Sequence, residues 1–525
     1  MTLVLVVGVS IFASRTASAA PPPDTSGPEV SPAVHHDISA PLRDLVAAPV
    51  SAPRHEKPLR PVSSSARSGP GSGATDPVLQ TTATTPLPVT AGLNFAGVGN
   101  GDYGFAPNAA PPDTNGAVGA TQYVQWVNES FAVFSKTTGE IAAGFPKAGN
   151  SAWVGFGGGC ETNNDGDPIV QYDKAAKRWI LTQFSVTTTP YLQCVAVSTT
   201  SDATGAYSRY SFSYGNTQFP DYPKLGVWPD AYYITFNIFN NGITFAGSKL
   251  CAYDRSSMLT GAAATQQCFQ LSSSFGGVLP ADLDGPTAPP VGSPNFMLNF
   301  GTNSLNLWKF HVDWGTTTNT TLTGPTPIPV GAFSAACGGG TCIPQPGTSQ
   351  KLDSLGDRLM YRLAYRKFTD HEALVVNHSV AVGGRKGTVG MRWYELRIPN
   401  ATPTVFQSGT YGLSDGVFRW MASAAMDKFG NLAIGYSASS SSLFPSIQIT
   451  GRTPADTAGK LDIAQQLMAG AGSQLPNLSR WGDYSAMTVD PVDDCTFWYT
   501  TEYLKSSGTF NWSTRIANFK LPTCP

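Results

Sequence analysis

The chain has 525 residues, with 54 glycines, 41 prolines, only 13% charged residues and a net charge of −2. That balance excludes a basic footprint for nucleic acid and a polybasic membrane patch. Few charged helix formers beside abundant turn residues point to strands and turns rather than helices.

Residues 1–20 read as an export signal. The apolar run 3–12 is too short to span a bilayer, and Ala17, Ser18 and Ala19 form a small-residue cleavage site, although Arg15 follows the run instead of preceding it. No other stretch reaches transmembrane length, so a secreted, extracellular or cell-surface protein is expected, with the periplasm left open. Residues 21–90 are rich in Pro, Ser, Ala and Thr and nearly lack aromatics. Such a composition buries too little apolar surface to offset its ordering entropy, which predicts a disordered leader.

From residue 91 to residue 525 the chain repeats itself. An opening, a short strand, an Asp-containing turn and a second, aromatic strand recur at 167–182, 221–235, 419–436 and 480–502, and a further opening begins at Asp113. Openings at Asp113, Asp167, Asp221, near Asp284, Arg358, Arg419 and Arg480 are separated by 54, 54, 63, 74, 61 and 61 residues. A period of that length with several strands per unit marks a radial array. The expected fold is all-β, a single β-propeller of seven blades over 91–525, with six or eight left open because the fourth unit is irregular.

The run Asp167-Pro-Ile-Val-Gln-Tyr-Asp with Arg178-Trp, and Asp221-Tyr-Pro-Lys-Leu-Gly, resemble blade openings of the sialidase-like propeller superfamily. The stretches 111–119, 219–233, 419–436 and 480–503 resemble a group of secreted bacterial propeller proteins. The resemblance covers nearly all of 95–525 and implies fold and export; it brings no active site with it. The Ser-x-Asp-x-Gly-x-Thr-Trp box of sialidases is missing, and Arg397-Ile-Pro lies far from the N-terminal place where sialidases carry theirs.

Three arginines at equal spacing, Arg358, Arg419 and Arg480, are expected to approach the ring axis and to clamp a carboxylate or sulfate, with Trp420 and Trp481 available to stack a sugar ring. The competing reading pairs each arginine with a carboxylate such as Asp357 or Asp483. Asp113, Asp167, Asp221 and Asp483 at blade openings, with Tyr222 and Tyr484 beside two of them, are the candidates for acid, base or nucleophile in glycoside cleavage. Repetition from blade to blade favours a structural role for them, since a reaction needs one acid. Asn163, Asp165 and Asp167 alternate oxygens around a glycine as calcium loops do, without the distal Glu of such loops, so calcium is weighed against a simple turn. No other cofactor is implied.

Eight cysteines with no Cys-x-x-Cys pair and scarce histidine favour disulfides over zinc. Proximity along the repeats pairs Cys160 with Cys194, Cys251 with Cys268, Cys337 with Cys342 and Cys495 with Cys524. Together these features predict an exported, disulfide-stapled, monomeric propeller that binds an extracellular glycan or other anionic ligand in its axial funnel. The alternative is a sialidase-like glycoside hydrolase or a polysaccharide lyase on acidic glycans; because the repeats single out no acid, binding is favoured over catalysis.

Overall fold

The computed structural model describes residues 27–46, 54–62, 76–383 and 387–525, so the export signal expected at 1–20 lies outside the described residues. Among the described residues the strands form antiparallel meanders set around a ring. Their innermost strands are, in order, Asn115–Val118, Ile169–Asp173, Gln218–Val227, Leu279–Asp284, Met360–Lys367, Phe418–Met426 and Ala486–Val489. The units that begin at these strands are numbered blades 1 to 7 in chain order. Each innermost strand neighbours the next, and Ala486–Val489 neighbours Asn115–Val118, so the ring closes. The protein is an all-β propeller.

Each blade is covered on both faces, so its strands are apolar almost throughout. In blade 2 every residue of Ile169–Asp173 and Leu192–Ser198 is buried. The layers between blades are filled by aromatic pairs. Tyr123 stacks on Trp498 at 5.2 Å between blades 1 and 7, and Trp228 meets Tyr365 edge-on at 4.7 Å between blades 3 and 5. Blades 4 and 5 go further and share a ladder, because Leu279–Asp284 pairs in parallel with Met360–Lys367. Blade 7 takes its outermost strand from the other end of the chain: Thr90–Ala96 pairs antiparallel with Trp512–Lys520.

All four disulfides pair as expected, and no cysteine among the described residues is free. Cys251–Cys268 crosses adjacent strands of blade 3, and Cys495–Cys524 ties the C-terminal residues to blade 7. Among the described residues no helix is long and apolar enough to cross a membrane.

Two expectations need correction. The segment 21–90 is not a uniformly disordered leader, because its described parts are built into the ring. Glu29–Pro32 adds a fifth strand to blade 3, His35–Ile38 does the same for blade 2, and Leu79–Gln80 runs parallel to Thr404–Tyr411 of blade 5. These pieces have no core of their own. They are ordered by main-chain bonds to blade edges already present, a source of stability that composition does not reveal. Second, Asp284 does not open blade 4. The chain enters that blade at Gly276 and Gly277, and Asp284 lies at the far end of Leu279–Asp284.

Candidate functional site

At one end of the axis several blades begin with a residue in left-handed backbone: Asp113 (φ 46°), Asp167 (φ 45°), Tyr222 (φ 56°), Met421 (φ 55°) and Asp483 (φ 70°). In blades 3 and 6 it falls at a break in strand register, between Asp221 and Lys224 and between Trp420 and Ser423. In blade 3 the bulge leaves both Asp221 and Tyr222 beside the axis. It also puts Tyr222, not Asp221, in the place held by Asp113 and Asp167.

A small cavity of about 30 Å³ lies there, room for one or two waters, bordered by Asp167, Asp221, Tyr222, Arg358, Arg480 and Asp483 from four different blades. Arg480 Nη2 meets Asp483 at 2.7 Å, and its Nε lies 3.3 Å from Asp353. Arg358 Nε donates to Asp357 at 2.8 Å and its guanidinium sits 4.5 Å from the centre of the Tyr222 ring. Two of the three equally spaced arginines are therefore brought together, each already facing carboxylates of its own chain.

Arg419 is not with them. It pairs with Asp415 across three intervening residues and lies 5.4 Å from the Tyr411 ring. The reason is register. The left-handed residues Met421 and Asp483 are one residue further apart than Arg419 and Arg480, so Arg419 corresponds to Trp481, and a one-residue slip on a strand turns a side chain to the opposite face. Trp420 and Trp481 are fully buried and pack on each other at 6.0 Å, with Trp481 Nε1 donating to Ser437, so neither presents a face to a sugar.

Asp113, Asp167 and Asp221 hold protons unusually well. Burial pushes Asp113 well above its ordinary range, with Asp483 and Asp167 adding repulsion. Burial raises Asp167 in the same way against the pull of Lys57, and burial with Asp167 beside it pushes Asp221 up to about 6. Asp113 accepts from Asn128 Nδ2 at 2.9 Å, and Asp167 accepts from the Tyr222 amide at 3.2 Å. Tyr484 donates to the Pro168 carbonyl at 2.8 Å. Burial drives the phenols of Tyr222 and Tyr484 well above 10, which disfavours the phenolate a nucleophile would need.

The proposed calcium ligands point elsewhere. Asn163 donates to Ser185 and Thr188, and Asp165 accepts from the amides of Val186 and Thr187. Among the described residues the one set of donors close enough to share an ion is Asp493, Cys495 and Cys524, whose two cysteines are bonded to each other.

Four buried ionisable residues near the axis escaped the sequence reading. Lys224 sits against Tyr222 and Tyr484 with its Nζ 3.4 and 4.0 Å from their ring centres, and burial brings it down to about 7. Burial pushes Asp353 up to about 6 and holds Glu502, which accepts from the Gly482 amide at 2.6 Å, well above its usual value. Deeper along the axis, Arg362 bridges Asp282 (2.6 Å) and Asp284 (2.8 Å) and donates to the Met487 carbonyl. Lys224 follows the bulge of blade 3, so strand alternation measured from the bulge would have placed it inward.

The shifts carry a sign. Asp221 and Asp353 have folded values raised above the ordinary carboxylate value of 3.8. Their contribution to stability is complete below that value and is lost as pH rises through about 6. Lys224, lowered to about 7, works in reverse, but its loss is nearly complete by pH 6.5. Asp221 and Asp353 should therefore together add about 2 kcal/mol of stability between pH 6.5 and 5, on top of what Asp230 and Asp427, which burial also pushes up to about 6, contribute. Thermal melts at the two pH values will show it, and replacing both aspartates by asparagine should reduce the slope by that amount and leave the share of Asp230 and Asp427 in place.

No family model and no curated protein matches the chain. Among solved structures, the WD40 domain of SCAP from fission yeast is similar at 8% identity and a TM-score of 0.33, over 76% of this chain and 81% of that one. An endo-arabinase from Bacteroides thetaiotaomicron is similar at 15% identity and 0.30, over 56% and 95%. A polysaccharide lyase of the PL25 ulvan lyase family is similar at 11% and 0.26, over 81% of each chain. At these TM-scores the fold rests on the ladders and ring contacts above.

Proposed function

We propose that this protein is an exported propeller that binds an extracellular glycan in the funnel at the bulged end of its axis. The observation that carries the reading is the gathering of Asp167, Asp221, Arg358, Arg480 and Asp483 around one cavity. Ionisable groups from separate blades that border a cavity, unlike the enclosed ion pairs of Arg362, support a functional reading. Carboxylates accept from sugar hydroxyls, and Arg358 with Arg480 offers paired donors to a uronate, sialate or sulfate.

The second reading is cleavage of an acidic glycan by a hydrolase or lyase. It is favoured by one specific observation, the proton-holding Asp221 beside ionisable neighbours, a pattern that general acids require. A glycan array followed by product analysis on retained glycans separates the two. Binding predicts retention of acidic glycans that are recovered intact; new reducing ends or unsaturated sugars would establish cleavage, and retention of none would refute both.

A further inference from the structure

The funnel is not open. Residues 54–62, a strap separate from any blade, lie across its mouth, and Lys57, Pro58, Leu59 and Arg60 form one wall of the cavity. His55–Glu56 pairs in parallel with Ala109–Ala110 at one margin. Glu56 accepts from the amides of Ser479 (2.7 Å) and Arg480 (2.8 Å). Arg480 in turn donates to the Lys57 carbonyl at 3.0 Å, and Arg358 donates to the Arg60 carbonyl at 3.2 Å. Arg60 pairs with Asp221 at 3.1 Å and stacks on Phe219 at 4.3 Å, while the Val62 amide donates to Asp357.

Both arginines that would greet a ligand thus spend a donor on the strap, and Asp221 is neutralised by it. Yet the strap is lightly anchored. Only Val62 is fully buried; the rest is held by ion pairs, main-chain bonds and a two-residue ladder. Segments with few buried apolar contacts open at far lower cost than the core they rest on.

We propose that residues 54–62 are an autoinhibitory strap, an occupant in cis that opens as a unit and must leave before a glycan can reach Arg358 and Arg480. This rests on the axial-binding reading above, and its test keeps the two apart. Arg60→Ala removes an anchor at one end of the strap, whereas the amides of Ser479 and Arg480 report on closure at the other. Hydrogen exchange of the full chain, followed by mass spectrometry, should show those amides exchanging at least fivefold faster in Arg60→Ala than in the native protein, with the blade strands unchanged. Oligogalacturonate, used as the probe, should bind the variant at least fivefold more tightly, because an occupied site lowers apparent affinity by the fraction of molecules that are open. Equal exchange at Ser479 and Arg480 in both proteins would overturn the strap as a unit. Faster exchange with equal affinity would overturn its inhibitory role. Faster exchange with no binding to either protein would support the opening strap and refute the glycan reading instead.

Discussion

Replacing Arg362 by methionine should lower the unfolding free energy by about 3–5 kcal/mol, the cost of stripping the partner from a buried ion pair. Its guanidinium is 1% exposed and bridges Asp282 and Asp284, which are equally buried. Those two carboxylates are knotted into the ring: Asp282 also accepts from Gln171 Nε2 and the Val227 amide, and Asp284 faces Lys174 at 3.1 Å. One side chain therefore holds blades 2, 3, 4, 5 and 7 to a common point. Methionine fills similar space, so the loss measures uncompensated charge and not a cavity. Adding Asp282→Asn and Asp284→Asn to the same chain should recover much of it. Denaturant midpoints for the single and triple variants are the measurement, and a loss under about 1 kcal/mol in the single variant would mean water or Lys174 already serves the carboxylates.

A chain beginning at residue 97 should fail to reach a cooperative monomer, while one beginning at residue 76 should melt cooperatively. The first lacks Thr90–Ala96 and so exposes the whole edge of Trp512–Lys520. Phe95, which packs on Phe134 of blade 1 at 5.4 Å, leaves with it, as does the bond from the Leu93 amide to Asn518. Blade 7 without this strand presents an unpaired edge and an uncovered apolar layer, and both promote association. Size-exclusion chromatography and calorimetry of the two truncated chains will decide it. Cooperative melting of the shorter chain as a monomer would show that this edge strand is dispensable. The longer chain also lacks the strap, so its behaviour tells how much of the stability the leader supplies.

The all-β class, the ring of repeats and the four disulfide pairs were legible in the residues themselves. The reason is that they depend on local and periodic signals: recurring β-prone strands, Asp and Gly turns, and cysteines close together along one repeat. The site was legible only in part. Arg358, Arg480, Asp167, Asp221 and Asp483 do converge, because blade openings repeat in sequence and a ring has one axis. Arg419 does not, since even spacing in sequence conceals the single residue that the bulge at Met421 shifts, and facing on a strand reverses with every residue.

What tertiary structure alone decided is who meets whom across long separations. Arg362 reaches Asp282 from 80 residues away, and Glu56 reaches Ser479 from 423. The strap best shows the limit. Residues 54–62 contain almost nothing that predicts order, because their partners are charges and amides supplied by the finished ring. A segment whose stability comes wholly from a surface made elsewhere leaves no periodicity of its own to read.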